Sequence, residues 1–110
     1  MKANSKIRIA NHITITAKAG QEENLAAFLK GGAEAVAATE PQTQSWFAAR
    51  INHNTFLIID FFADQAGMDA HLAGKVAAAL KAKAGDLIEG GWDNGVLKNF
   101  QVLEVLSAAI

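Results

Sequence analysis

The stretch from Gln44 to Phe62, QSWFAARINHNTFLIIDFF, decides the fold. Thr55 to Phe62 is dense in β-branched and aromatic residues and reads as a strand. Gln44 to Ile51 reads as its partner, because Asn52-His53-Asn54 between them suits a tight hairpin in which Asn tolerates positive φ. The second of these strands carries Leu57, Ile59 and Phe61 on one face and Phe56, Ile58, Asp60 and Phe62 on the other. An antiparallel strand with one wet face alternates apolar with polar residues. This one is apolar on both sides, so both faces of its sheet need cover.

Toward the N-terminus, Ile7, Ile9, Asn11, Ile13, Ile15 and Ala17 alternate with Arg8, His12, Thr14 and Thr16, the period of a first strand. Gly20 stops it. Glu22 and Glu23 then favour the positive end of a helix dipole, and Leu25, Phe28, Leu29, Gly32 and Val36 keep helical spacing. One helix is expected from Gln21 to about Ala38, with Gly31-Gly32 allowing a kink or close packing. Glu40-Pro41 ends it, since the residue before proline is pushed out of the helical region. Beyond the hairpin, Asp64 is an N-cap candidate for a helix bearing Met68, His71 and Leu72. Gly74 breaks that helix, and a longer one follows on Val76, Leu80, Ala84, Leu87 and Ile88. Gly90-Gly91 closes it, Trp92 to Gly95 reads as a loop, and Val96 to Leu106 reads as the last strand.

Strand, helix, strand, strand, helix, strand, joined by right-handed crossovers, predicts an α+β chain. The expected fold is ferredoxin-like, βαββαβ, with an antiparallel four-stranded sheet and both helices on one face. Residues 1–110 form a single domain. No sequence is left to cover the other face, and large exposed apolar patches are rare on monomers. A homodimer with two sheets packed face to face is therefore expected; the alternative is a monomer with some apolar residues in water.

Composition narrows the function. Apolar residues at 51% and charged residues at 19% describe a globular protein, not a disordered one. Ten Lys/Arg against eleven Asp/Glu give a formal charge of −1, without the basic footprint of a nucleic-acid-binding protein. With no Cys there is no disulfide framework, thiolate nucleophile or Cys-based zinc site. His12, His53 and His71 are too scattered to predict a metal site, and P-loop, G-x-G-x-x-G and G-x-S-x-G motifs are absent. No apolar run approaches the roughly 20 residues that span a bilayer. Met1 to Lys6 lacks an apolar h-region, so a cytoplasmic location is expected.

Four polar or aromatic residues stand out. Asp60 interrupts an apolar strand, and a carboxylate there must be paired or hold its proton. With a three-residue turn it lies opposite Trp46, whose indole N–H could donate to it. It reads as a general base in an apolar pocket or as a satisfied structural group. His71 faces inward beside Met68 and Leu72, either as a proton shuttle or as a hydrogen-bonded core residue. Asn11 breaks the isoleucine face of the first strand and either orients a ligand or satisfies backbone. Trp46 is a core, interface or ligand-stacking residue. His12 is expected at an interface and His53 in solvent, Arg50 in a surface ion pair, and Lys75, Lys81 and Lys83 on the solvated side of the last helix.

Asp60-Phe61-Phe62-Ala63-Asp64-Gln65-Ala66, followed by Ala70-His71-Leu72, resembles the signature of the antibiotic-biosynthesis-monooxygenase type of dimeric α+β barrel. Asn11 to Gly20 and Glu40-Pro41 stand where that family has its first strand and its Glu-Pro-Gly turn. The resemblance runs from about Ile7 to Val105. It implies a homodimer with one cavity per subunit, and oxidation of phenols, anthrones or quinols by dioxygen without metal, flavin or other cofactor. Departures accompany it. Ile58, Phe62 and Met68 stand where anthrone-oxidising members have Asn, Trp and Tyr, and Gln42 replaces the turn Gly. Haem-degrading relatives share an Asn like Asn11, but their ligand His aligns with Lys81, and residues 75–90 hold no His.

The leading expectation is a cofactor-independent monooxygenase or oxidase of a small electron-rich aromatic molecule. His71 is the expected proton acceptor or orienting group, Asn11 and Asp60 polar anchors, and Trp46, Ile58, Phe62 and Met68 the substrate-facing wall. The alternatives are a non-catalytic ligand-binding dimer and a cyclase or isomerase on the same barrel.

Overall fold

A computed structural model describes all 110 residues. Strands β1 (Ile9–Thr16), β2 (Thr43–Arg50), β3 (Thr55–Phe62) and β4 (Phe100–Glu104) form one antiparallel sheet in the order β2-β3-β1-β4. Helices α1 (Glu22–Lys30), α2 (Gly32–Thr39), α3 (Gln65–Leu72) and α4 (Lys75–Leu87) complete the expected ferredoxin-like α+β arrangement.

The hairpin has the predicted register, with Trp46 opposite Asp60. On the other side of β3, Ile13 of β1 lies opposite Ile58. Its turn works differently from the expectation, because no residue other than glycine has positive φ. The Asn52 side chain instead accepts from the backbone N–H groups of Asn54 and Thr55, at 3.2 and 3.0 Å, an Asx turn that needs no left-handed backbone. A bulge between Thr43 and Ser45 starts β2 one residue earlier than read.

The single helix expected over Gln21–Ala38 is two helices joined at Gly31. Gly32, the first residue of α2, shows why the chain breaks there. A Cβ on it would lie 2.9 and 3.0 Å from Cζ2 and Cζ3 of Trp46, so the bare backbone lets the indole seat against the helix. The last strand is also shorter than read. Gly90 and Gly91 turn the chain with φ of 83° and 65°, Gly91–Val96 then forms a π-helical turn, and Leu97–Asn99 a 3₁₀ turn. Gly95 presses on the preceding helix end, where an added Cβ would meet Ile88 Cγ2 at 2.9 Å. This close contact buries Val96 and delays β4 to Phe100.

The core lies between the sheet and the helices and includes Ile13, Ile15, Leu25, Leu29, Phe56, Leu80, Leu87, Ile88 and Val96. Burial of each such side chain stabilises the fold by roughly 1.5–3 kcal/mol before entropy is counted. The opposite face of the sheet is uncovered in the single chain. Phe47 and Ile51 are 56% and 57% exposed there, and Leu57, Ile59 and Phe61 are half-buried. No helix is long and apolar enough to cross a membrane.

Candidate functional site

Between the inner face of the sheet and the helices lies a cavity of about 580 Å³. Ile13 and Ile58 form its floor, Trp46 and Leu29 one wall, Val76 and Leu80 another, and Trp92, Val96, Leu97 and Phe100 the rim. Its size suits a small organic molecule, for which pockets of about 300–1,000 Å³ are usual. Asp60 and His71 border this otherwise apolar space.

Strand alternation brings Asp60 inward with Phe56, Ile58 and Phe62, and leaves it 1% exposed. Helix α3 supplies His71. Asp64 caps that helix by accepting from Gly67 N–H at 2.9 Å, which fixes its rotation and turns Met68 and His71 toward the sheet. His71 Nε2 lies 3.1 Å from Asp60 Oδ2, and the imidazole packs 5.4 Å from the Phe62 ring. On the other side, His71 Nδ1 is hydrogen-bonded to Glu40 Oε1. Glu40 stands at the end of α2, held extended before Pro41 with φ −128° and ψ 76°, and its side chain is only 7% exposed. Thr43 Oγ1 donates to the same Glu40 oxygen at 2.9 Å.

An imidazole thus bridges two buried carboxylates. Burial opposes its charge, but the hydrogen bonds to Asp60 and Glu40, and then their negative charges, outweigh that effect and raise the His71 pKa above its usual value. The geometry accommodates that charge. Each ring nitrogen faces a carboxylate oxygen, so both contacts are hydrogen bonds only if a hydrogen lies on each line. The raised pKa favours placing both hydrogens on the ring, as an imidazolium donating to both neighbours. Asp60 Oδ1 and Glu40 Oε2 remain without hydrogen-bond partners, although both are buried.

The model of the antibiotic biosynthesis monooxygenase family matches residues 8–83. The chain belongs to this family. A solved protein of unknown function from Nitrosomonas europaea, NE2512, is 37% identical, with 97% of each chain covered and a TM-score of 0.86. Rv0793 from Mycobacterium tuberculosis shares the fold at 16% identity, covering 94% of this chain and 99% of its own, with a TM-score of 0.76. So does a proposed antibiotic biosynthesis monooxygenase from Bacteroides thetaiotaomicron, at 17% identity, 93% and 90% coverage and a TM-score of 0.69. No curated protein matches the chain.

Within this family member, the residues singled out from sequence divide into two groups. Trp46, Ile58, Asp60 and His71 border the cavity. Asn11, Phe62 and Met68 are buried outside its wall. Asn11 lies opposite Asp60 in the sheet, and neither end of its amide has a hydrogen-bond partner. Trp46 shares the inner face with Asp60, but the expected indole bond is not made; His71 occupies Oδ2 instead. Arg50 forms the expected surface ion pair, its Nη2 lying 2.6 Å from Glu23 Oε2. Glu40 was not read as a site residue. Its only sequence signal is its place before proline, and its partner lies 31 residues away.

Proposed function

We propose that this protein is a cofactor-independent monooxygenase or oxidase that uses dioxygen to oxidise a small electron-rich aromatic molecule of the phenol, quinol or anthrone class. One observation carries the reading. At the edge of an apolar cavity, Asp60 has one oxygen tied to the His71 imidazolium while the other, Oδ1, has no partner. A carboxylate held in this way is arranged to accept a proton from a bound substrate. His71 has both ring nitrogens engaged, so its role is to orient Asp60 and to place positive charge beside the anion that forms.

For an anthrone-like CH₂ group, Asp60 Oδ1 takes one hydrogen as a proton. The carbanion transfers an electron to dioxygen, and the resulting radical pair forms a C–O bond. Asp60 returns the proton to the peroxide, whose O–O bond then breaks with loss of water. The CH₂ carbon becomes a carbonyl; one oxygen atom enters the product and the other enters water. Apolar walls from Trp46, Ile58 and Leu80 hold the ring and exclude water from the reactive anion.

The enzyme acts as a cytoplasmic homodimer in which a second copy covers the outer sheet face around Phe47, Ile59 and Phe61. The half-exposed apolar residues on that face support the reading. The apolar Ile58 in the cavity floor favours one competitor, a binding dimer without turnover.

Oxygen consumption with a panel of phenols, quinols and anthrones, together with product mass, tests the proposal. A product gaining one oxygen atom is expected, with a rate that falls about 10²–10⁴-fold in Asp60→Asn. Turnover without oxygen use would identify a cyclase or isomerase, and binding without turnover a ligand-binding protein; either result overturns the oxidase reading.

A further inference from the structure

We propose that Glu40 is a positioning residue of the site, holding His71 doubly protonated so that its Nε2–H stays fixed on Asp60 Oδ2 and leaves Oδ1 free for substrate. The inference rests on the oxidase reading for its kinetic consequence, but not for its effect on the imidazole.

Glu40 does not border the apolar cavity. It lines a second cavity of about 290 Å³ behind His71, among mostly polar residues that include Thr39, Gln42, Thr43 and Lys75. His71 is therefore a partition. Its Nε2 side meets Asp60 at the apolar cavity, and its Nδ1 side meets Glu40 at the polar one. Glu40 is held in place from two sides. Pro41 restricts its backbone, and Thr43 Oγ1 donates to Oε1 at 2.9 Å. A buried carboxylate held this firmly against one nitrogen of a ring determines how many hydrogens the ring carries.

Two charged groups bear on His71, Asp60 from β3 and Glu40 from the turn after α2, and they supply the attraction. Lys75, at the start of α4, borders both cavities. Without the Glu40 charge, His71 keeps a single N–H over more of the neutral range. That hydrogen then divides between the two nitrogens. Whenever it lies on Nδ1, a lone pair faces Asp60, and the carboxylate is released from its orientation.

The test is Glu40→Gln, read two ways. Long-range ¹H–¹⁵N spectra of the imidazole, assigned by comparison with His71→Gln, follow the protons on Nδ1 and Nε2 directly. The wild-type midpoint is expected above the ordinary histidine value of about 6.5, and the variant midpoint to move down. Oxygen-uptake kinetics should show kcat lowered by about 10²-fold above the variant's midpoint, the scale of a misplaced catalytic group. KM should change little, because Glu40 does not touch the substrate cavity. Activity should recover toward wild type at about pH 5.5–6, where an ordinary histidine is protonated without help. A purely structural role would give no such recovery. Glu40→Asp, which keeps the charge on a shorter arm, should be intermediate, and it replaces Glu40→Gln if that variant does not fold. An unchanged imidazole midpoint overturns the proposal, as does a loss of kcat that is the same at every pH. A wild type that consumes no oxygen with any substrate refutes the oxidase reading instead, while the imidazole spectra still decide the role of Glu40.

Discussion

Replacing Gly32 by Ala tests whether the close approach of α2 to Trp46 sets the shape of the cavity. The added Cβ would stand 2.9 and 3.0 Å from Cζ2 and Cζ3 of the indole, and closer still to Cη2. Carbon atoms prefer about 3.5–4.0 Å, so the ring must retreat by about 1 Å. Overfilling a packed contact costs about 1–3 kcal/mol. Ala gains up to about 1 kcal/mol over Gly in a helix interior, and less at the first residue of α2. The net effect is a destabilisation of about 1 kcal/mol, a fall in Tm of about 4–8 °C for a domain of this size.

The direction of retreat carries more information than the cost. The indole already borders the open cavity, so turning into that space is its easiest relief. Gly32→Ala is therefore expected to weaken binding of an aromatic probe by about tenfold, equivalent to about 1.4 kcal/mol. The emission of Trp46, read in a Trp92→Phe background, should shift along with it. Thermal melting, probe titration and emission spectra together make the test. A variant that melts at or above wild type, with unchanged emission and probe affinity, would show that Gly32 does not hold Trp46 in place.

Two other expectations follow from the same physics. Because the His71 pKa is raised in the folded chain, folding retains a proton that the unfolded chain releases. The resulting stability is fully present below the ordinary histidine value of about 6.5 and is lost as pH rises through the folded midpoint. Urea unfolding across neutral to mildly alkaline pH should show that decline, shallower in Glu40→Gln; stability that rises over this range contradicts the imidazolium assignment. On the outer face, Phe47 is 56% exposed and meets Phe61 edge to face, with ring centroids 6.4 Å apart. Light scattering at micromolar concentration should find a dimer for wild type and a monomer for Phe47→Asp, and a monomeric wild type would remove the dimer proposal.

The sheet was legible in the sequence because its information is local. Thr55 to Phe62 alternates about a single odd residue, Asp60, and a three-residue turn fixes what lies across from it. That reasoning placed Trp46 opposite Asp60 without reference to any distant residue. The elements misread were those decided by close packing. Gly31-Gly32 keeps helical spacing, and only the bulk of Trp46 shows why the helix must break. Trp92 to Gly95 has the composition of a loop, whereas the compact turn around it depends on Gly95 fitting against Ile88 and Glu89. Contacts of this kind join residues whose meeting the sequence pattern does not encode.

The site failed to declare itself for a different reason. Considered without each other, Asp60 and His71 each have an ordinary structural explanation. Their chemistry depends on how many protons three groups share, and that number cannot be formed until the third group, Glu40, is known. A histidine beside one carboxylate could serve as a base through its free nitrogen. Between two carboxylates it has no free nitrogen. In the proposed reaction the proton therefore goes to the unpartnered oxygen of Asp60. The same logic makes the ring difficult to replace. Two buried carboxylates without the imidazolium would face each other as uncompensated like charges, so one must take up a proton. In the proposed reaction His71, expected from sequence as proton acceptor or orienting group, is the cation that orients Asp60.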